Sequence, residues 1–387
     1  MLSKIQLGMT EYASSRFRPR FHKLYILLAW AFLISFVSFR NYQYLSSGML
    51  TPKFQLIHEA YVFNLWYLPL SLITLAVLCY FLARRVAKVY IYSACLLFFL
   101  AIDLFILRYY ITYVEPQKLV VRHIIIESPK VSSILRILHL SDIQCGAVGS
   151  YEEKVFRTID SLNPDLIINT GDYLQTIAPA TFKSEFPKLV QLIRNSNAPY
   201  GTYGVFGDTE LELYSIPKVE LGALKLLSSR SELILTHAGR IHLHGLSLYE
   251  SKNPEWAKRA AVQWLDESSD NDFRILFGHS PDYALGVKAL PIDLCLAGHT
   301  HGGQVRLPFV GALVIDSKIP NDWSRGFRKI GTPFLNVSAG VGSNRFGGLP
   351  PIRFNCPSEM SLIELVPIKK SLTKLRRKND PELRTIL

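Results

Sequence analysis

The sequence is poor in charge. Only 19% of its 387 residues are Asp, Glu, Lys or Arg, against 49% hydrophobic residues, a balance that excludes a disordered, charge-rich chain. Acidic side chains are the scarcer kind, 31 against 43 basic ones, for a net charge of +12. Cysteine is scarcer still: Cys79, Cys95, Cys145, Cys295 and Cys356 show neither metal-ligand spacing nor a paired framework. That excludes a disulfide scaffold and a cysteine-ligated zinc site. No internal repeat, low-complexity tract or nucleic-acid-binding module accompanies the positive charge, so no nucleic-acid partner is expected.

The basic residues gather in two tails. Residues 1–23 carry Lys4, Arg16, Arg18, Arg20 and Lys23, and residues 368–387 carry Lys369, Lys370, Lys374, Arg376, Arg377 and Lys378. Between them, charge vanishes from three runs, 24–39, 61–82 and 89–107, the last interrupted only by Asp103. About 20 apolar residues span a bilayer core as a helix. The second and third runs qualify directly, and the first is lengthened by Trp30 and its aromatic and basic flanks. A cleaved leader is the rival for the first run, but no small-residue cleavage site follows it. Three transmembrane helices are therefore expected within residues 24–115, with Pro69 tolerated in the second and Asp103 paired to Arg108 about one turn on. Arg84, Arg85 and Lys88 make the second loop basic, whereas residues 40–60 hold only Arg40 and Lys53. The positive-inside bias then puts the N-terminus in the cytoplasm and the chain beyond the third span outside. If the first run does not span, that orientation reverses.

From residue 130 the pattern changes to short apolar runs punctuated by Gly, Asp and Pro. Strands are expected at 133–140, 165–169 and 204–206, with amphipathic helices at 151–162 and 182–193 between them, a βαβ arrangement. Further strands are expected at 233–236, 240–247, 274–277, 293–297, 335–338 and 361–365, and a helix at 254–265. Five polar signals follow apolar strands in order: Asp142-Ile143-Gln144, Gly171-Asp172, Gly207-Asp208-Thr209-Glu210, His279, and His299-Thr300-His301. A sheet delivers strand-end residues to one edge, and carboxylates and imidazoles converging there suit a pair of divalent metals. His237, His242 and His244 fall outside this pattern and read as packed structural histidines.

These motifs in this order resemble the calcineurin-like metallophosphoesterases. The run Gly298 to Gln304 and the tail Arg353-Phe354-Asn355-Cys356-Pro357 resemble the membrane-associated branch, which includes bacterial phosphodiesterases and UDP-2,3-diacylglucosamine pyrophosphatases. The resemblance implies an α/β sandwich, two sheets flanked by helices, over residues 130–367, in a multi-pass protein of a bacterial inner or plasma membrane. It also implies two metal sites. One takes Asp142, Gln144, Asp172 and His301; the other shares Asp172 as a bridge and adds Asp208, His279 and His299. Asp172, Asp208, Thr209 and His299 are the implied catalytic group, with phosphodiester or pyrophosphate hydrolysis by a metal-bound hydroxide.

Three positions depart from the family pattern. Gln144 stands where the family has His, Asp208 where it has Asn, and Thr209 where it has a His that stabilises the transition state or protonates the leaving group. The first two make the site richer in oxygen and more negative, favouring Mn or Fe over Zn. Thr209 cannot act as an acid near neutral pH, so either the leaving group needs little protonation or the domain binds a phosphorylated ligand without turnover. Arg345 and Arg353, with Arg325, are candidates to clamp phosphate. Phe309, Trp323, Phe346 and Leu349 are candidates either to meet an acyl chain or to complete the sandwich. Anchoring beside membrane lipids makes a lipid-linked phosphate the expected substrate, and nothing in the sequence sets an oligomeric state.

Overall fold

The three uncharged runs form helices because nothing in them competes with a continuous backbone ladder. In the computed structural model they are α1 (Leu2–Leu50), α2 (Phe54–Val62), α3 (Leu68–Arg85) and α4 (Tyr90–Tyr109). The structure describes residues 2–50, 54–196, 198–210, 221–345 and 350–368, with 2–20 and 48–50 as backbone only. The basic residues from Lys369 onward, and Phe346 and Leu349, lie outside the described residues. A five-residue π-turn, Phe63–Tyr67, joins α2 to α3, and Pro69 follows in the first turn of α3, where its missing N–H costs nothing. Three stretches are long and apolar enough to cross a membrane: Phe21–Ser47, Phe54–Arg85 and Tyr90–Gln117. The first is longer than the 24–39 expected, which removes its shortfall. The Asp103–Arg108 pair does not form. Five residues apart, the two point roughly 140° apart around the helix, and Arg108 instead donates to the Tyr61 hydroxyl at 3.1 Å and lies 3.6 Å over the Trp66 ring.

Beyond the helices the apolar runs pair into two six-stranded sheets. The first has the order β1-β14-β2-β3-β4-β5, with β1 Leu119–Ser128, β2 Leu135–Leu140, β3 Leu166–Asn169, β4 Thr202–Gly204, β5 Leu224–Leu226 and β14 Ser358–Pro367. Strands β2 to β5 are parallel, and β14 runs antiparallel to β2. The second has the order β12-β13-β9-β8-β7-β6, with β6 Arg230–Thr236, β7 Gly239–Gly245, β8 Phe273–Phe277, β9 Leu294–Ala297, β12 Gly326–Lys329 and β13 Phe334–Val337. Its strands β7, β8, β9 and β13 are parallel, closed at each edge by an antiparallel hairpin partner. A short ribbon, β10 Arg306–Leu307 with β11 Gly311–Ala312, stands apart.

Alternate residues of both sheets face one core: Ile137, Leu166 and Ile168 from the first, Leu243, Ile275, Phe277 and Leu296 from the second. Helices α5 (Ser150–Leu162) and α6 (Phe182–Asn195) bury Val155, Phe156, Ile159, Leu189 and Ile193. Helix α7 (Pro254–Asp266) buries Ala257, Ala261 and Trp264. His242 and His244 pack their rings on Trp264, the structural role expected of them.

The chain divides into two compact units: residues 1–119 with 300–324 and 342–358, and residues 120–299 with 325–341 and the chain from 359. The expected continuous domain over 130–367 is thus interrupted twice. It also begins earlier, because β1 opens it at Leu119. Three strands of the two six-stranded sheets escaped the sequence reading, β1, β5 and β12, as did the two-residue strands β10 and β11 of the ribbon. β1 follows a long apolar region and reads as its continuation, and β5 and β12 are too short to show a period. The strand expected at 204–206 ends at Gly204, so Asp208 sits on a loop.

Trp264 is 1% exposed. Trp264→Ala is expected to cost about 3–5 kcal/mol, measured by urea unfolding of the full-length protein in detergent and followed by circular dichroism.

Candidate metal centre

Parallel strands place their carboxyl ends at one edge of a sheet, and each polar signal in the sequence follows such an end. Asp142 follows β2, Asp172 follows β3 and Asp208 follows β4; His279 follows β8 and His299 follows β9. The backbone there is unusual. Asp142, Gln144, Asp172, His299 and His301 have φ of 49°, 34°, 60°, 68° and 49°, half of the ten non-glycine residues with positive φ among the described residues. Each such conformation costs on the order of 1–3 kcal/mol and persists only where its surroundings over-determine it. Glycines make the close approach possible. A Cβ at Gly298 would meet Ser141 Oγ and Asp142 Oδ2, and one at Gly207 would meet Asp172 Oδ1.

Two groups of ligand atoms result, Asp142 with Asp172 and His279, and Asp208 with His279 and His299, each gathered within 4.8 Å. His279 is fully buried, and its Nδ1–H donates to the Thr170 carbonyl at 2.8 Å. That leaves the Nε2 lone pair facing Asp172 Oδ1 at 3.4 Å and Asp208 Oδ2 at 3.5 Å, with no hydrogen-bond partner of its own. A backbone carbonyl on one ring nitrogen and an open lone pair on the other is how metal-ligating histidines are held. His299 Nδ1 lies 2.9 Å from Asp208 Oδ2, and the His299 backbone N–H donates to Asp142 at 3.0 Å. Gln144 sends its amide N–H to Asp172 Oδ2 at 2.6 Å, while its Oε1 is buried without a donor. An orphaned amide oxygen, an open imidazole nitrogen and three convergent carboxylates fit divalent cations.

The electrostatics agree. Burial pushes Asp142 up to about 6. Burial also acts against Asp172, but the His279 imidazole outweighs it and holds Asp172 near 2. The His279 and His299 imidazoles likewise overcome burial at Asp208 and keep it well below the carboxylate range. Burial would lower His279, yet the surrounding carboxylates raise it well above its ordinary value.

Supporting residues lie one layer back. Asn336 Nδ2 donates to His139 Nδ1 at 2.8 Å, His139 Nε2–H donates to Thr170 Oγ1 at 3.0 Å, Thr170 donates to Ser141 Oγ at 2.7 Å, and Ser141 donates to Asp142 Oδ2 at 2.5 Å. This chain fixes His139 as the neutral Nε2–H tautomer. Glu210, 1% exposed, accepts the backbone N–H groups of Asp172, Tyr173 and Gly207 and the Thr209 hydroxyl. It ties the loops after β3 and β4 together. The sequence carried hints of both: a hydroxyl residue precedes the first carboxylate as Ser141-Asp142, Thr170 stands two before Asp172, and Glu210 closes the Asp208 motif.

Several expectations need correction. Asp208 does not simply add negative charge, because the Lys252 ammonium pairs with its Oδ1; an Asp–Lys pair carries the same net charge as the family's neutral Asn. Thr209 turns its hydroxyl to Glu210 at 2.9 Å and its N–H to Asp172 at 3.0 Å, so it buttresses the loop. Arg353 is fully buried and spends its guanidinium on the carbonyls of Gly342 and Cys356, which leaves nothing for a phosphate. Arg325 pairs with the buried Glu359 at 2.8 Å. Arg345 is half-buried in the 342–345 loop. His301 belongs to the unit that holds the long helices, where Phe54 meets its ring edge-on at 6.4 Å between centroids. Phe309 is fully exposed, and Trp323 is half-buried.

Burial lowers His139 from 6.5 to about 3. A depressed histidine stabilises the fold above its unfolded pKa, and that stability is lost as pH falls from 6.5 towards 3, because the unfolded chain takes up the proton first. Between pH 6.5 and 5 the loss is about 2 kcal/mol. His139→Gln should be less stable at pH 7.5 yet lose less on acidification, as read by thermal unfolding of both proteins at the two pH values. Raised carboxylates contribute equally to both proteins and cancel in the comparison.

Residues 135–303 match the family model of the calcineurin-like phosphoesterases. The chain is 28% identical to the uncharacterized metallophosphoesterase YkuE of Bacillus subtilis over 266 residues, covering 66% of this chain and 88% of that protein. It is 26% identical to YkoQ of the same organism over 238 residues, 57% and 83% of the two chains. It is 29% identical to phosphodiesterase YaeI of Escherichia coli over 212 residues, 52% and 71% of the two. Strand-end ligands on a two-sheet sandwich and these matches agree that residues 135–303 form a calcineurin-like phosphoesterase domain, which indicates a metal-dependent phosphoesterase.

Proposed function

We propose that the chain is a membrane-anchored two-metal hydrolase that cleaves a phosphodiester or pyrophosphate bond in a lipid-linked substrate. One observation carries the dinuclear reading. Asp172 presents Oδ2 to Gln144 and Oδ1 to His279, the two-sided placement a bridging carboxylate needs. Asp142, Gln144 and Asp172 would hold one ion, with His301 assigned by its motif. Asp172, Asp208, His279 and His299 would hold the other. Bound divalent ions supply Lewis-acid neutralisation of phosphoryl oxygens and lower the pKa of water. The oxygen-rich ligand set favours Mn or Fe over Zn.

The chain's own groups narrow the substrate. Asp208 is 35% exposed at its side chain, against 3% for Asp172 and 9% for His299, so substrate approaches from the Asp208 side. Lys252, paired there with Asp208, would meet an incoming phosphoryl oxygen. Thr209 has no proton to give a leaving group, which suits a phosphate leaving group, already a weak base. The same commitment of Thr209 to Glu210 favours one alternative, a domain that binds a phosphorylated ligand without turnover. Three helices long enough to cross a membrane, with open apolar side chains such as Phe32, Leu27 and Phe99, support the anchor. The basic N-terminal tail and second loop support an external catalytic domain, which disfavours a nucleotide-linked substrate confined to the cytoplasm. Arg345 remains the proposed phosphate contact after β13.

Metal-free protein reconstituted with Mn²⁺ is expected to hydrolyse a bis-aryl phosphodiester, and Asp172→Asn or His301→Ala to lower kcat/KM by about 10²–10³-fold. Metal binding by the parent with no turnover of any phosphodiester or pyrophosphate would select the binding-only alternative. A reporter fused after Leu387 should read as external; a cytoplasmic signal reverses the orientation.

A further inference from the structure

The unit built from the long helices and residues 300–324 and 342–358 contains a partly open cavity of about 320 Å³. Its walls come from the end of α1, from α2 and the π-turn, from the end of α4, and from the segments after the His299-Thr300-His301 motif. Ile57, Leu65, Leu107, Leu313, Ile352 and Phe354 supply the apolar lining. The volume lies within the range of small-molecule sites.

The polar side chains at its wall are engaged elsewhere. Asn41 and Asn64 exchange amide hydrogen bonds at 3.0 and 2.8 Å. The Tyr44 hydroxyl accepts from Arg40 at 2.9 Å, and the Tyr61 hydroxyl accepts from Arg108 at 3.1 Å. A polar occupant would lose its hydration with little to replace it, whereas a hydrocarbon loses nothing. A hydrocarbon occupant would also gain dispersion contacts with this lining.

Its place relative to His301 gives the cavity a use. Phe54, at the start of α2, meets the His301 ring edge-on, and Ile57, Tyr61 and Leu65 follow along one face of the same helix and its π-turn into the cavity. From Phe54 to Leu65 the rise is roughly 17 Å, a linear path away from the proposed ligand. A second apolar cavity, about 420 Å³ between α1, α3 and α4, is lined by Tyr25, Trp30 and Leu78 and touches no candidate ligand.

We infer that a hydrocarbon chain of the lipid substrate occupies the first cavity and holds the phosphoryl group at the His301 end of α2. This rests on the hydrolase reading above, and deepens it by assigning the chain-binding site.

Two measurements on the full-length protein test it. In vesicles, a phospholipid with a diazirine on its acyl chain should label the peptides holding Ile57–Leu65, Leu313 and Ile352–Phe354. Labelling confined to the second cavity, or evenly spread, overturns the inference. In the second, aryl alkyl phosphodiesters with ethyl, hexyl and decyl chains are compared between parent and Leu313→Trp, which fills the cavity. Membrane partitioning is common to both proteins, so the parent-to-variant ratio of kcat/KM isolates the site. It should rise with chain length, reaching about tenfold or more for decyl, since each buried methylene contributes roughly fourfold. A ratio independent of chain length would make the cavity a seat for a structural lipid and overturn the substrate assignment. Circular dichroism and Mn²⁺ binding of the variant check that it folds; if it does not, Leu307→Trp replaces it. Labelling needs neither metal nor turnover. Labelled but inactive protein therefore sinks the hydrolase reading, while active protein without labelling sinks this inference alone.

Discussion

Three carboxylates from three different strand ends, Asp142, Asp172 and Asp208, are brought into a space where like charges repel and water is largely excluded. Left alone, that arrangement is unstable, because a buried ion without a partner is among the most costly features a fold can contain. The surrounding structure answers it. His279 sits between Asp172 and Asp208, His299 and Lys252 also face Asp208, and the Ser141 hydroxyl and the His299 backbone N–H donate to Asp142. The glycines at 207 and 298 exist at these positions because the carboxylates press against them. Both six-stranded sheets are needed, since each contributes ligands that the other cannot.

The acid side of this cluster was legible in the sequence. Asp142, Asp172, His279 and His299 each follow an apolar strand, and strand ends are local features that a linear pattern records well. The compensation was not legible. Lys252 is 44 residues from Asp208 and lies in an ordinary polar helix-entry segment, so only the folded chain reveals the pair. Arg353 read as a phosphate clamp because sequence cannot tell a guanidinium facing solvent from one buried among carbonyls. The His139 relay escaped for the same reason. Its members come from β2, the β3 loop and β13, and each alone looks like a common polar residue in a strand.

The helical region shows the opposite balance. Composition identified the three long helices because apolar length is a property of the chain. Side-chain pairing within them was misjudged at Asp103 and Arg108, where spacing along the helix, not proximity in sequence, decides what can meet. Strand β1 went unseen for a related reason: it is apolar and β-branched, and it follows an apolar region without a break in composition.

The unequal burial of the two ligand groups has a consequence for how ions come and go. Asp142, Gln144 and Asp172, proposed for one ion, are almost wholly enclosed, whereas Asp208, proposed for the other, is open to solvent on one side and already holds a lysine. Occupancy would then be hierarchical. The inner position would load slowly and keep its ion through dialysis, while the outer would exchange freely with the medium and take its identity from whichever divalent cation is abundant there.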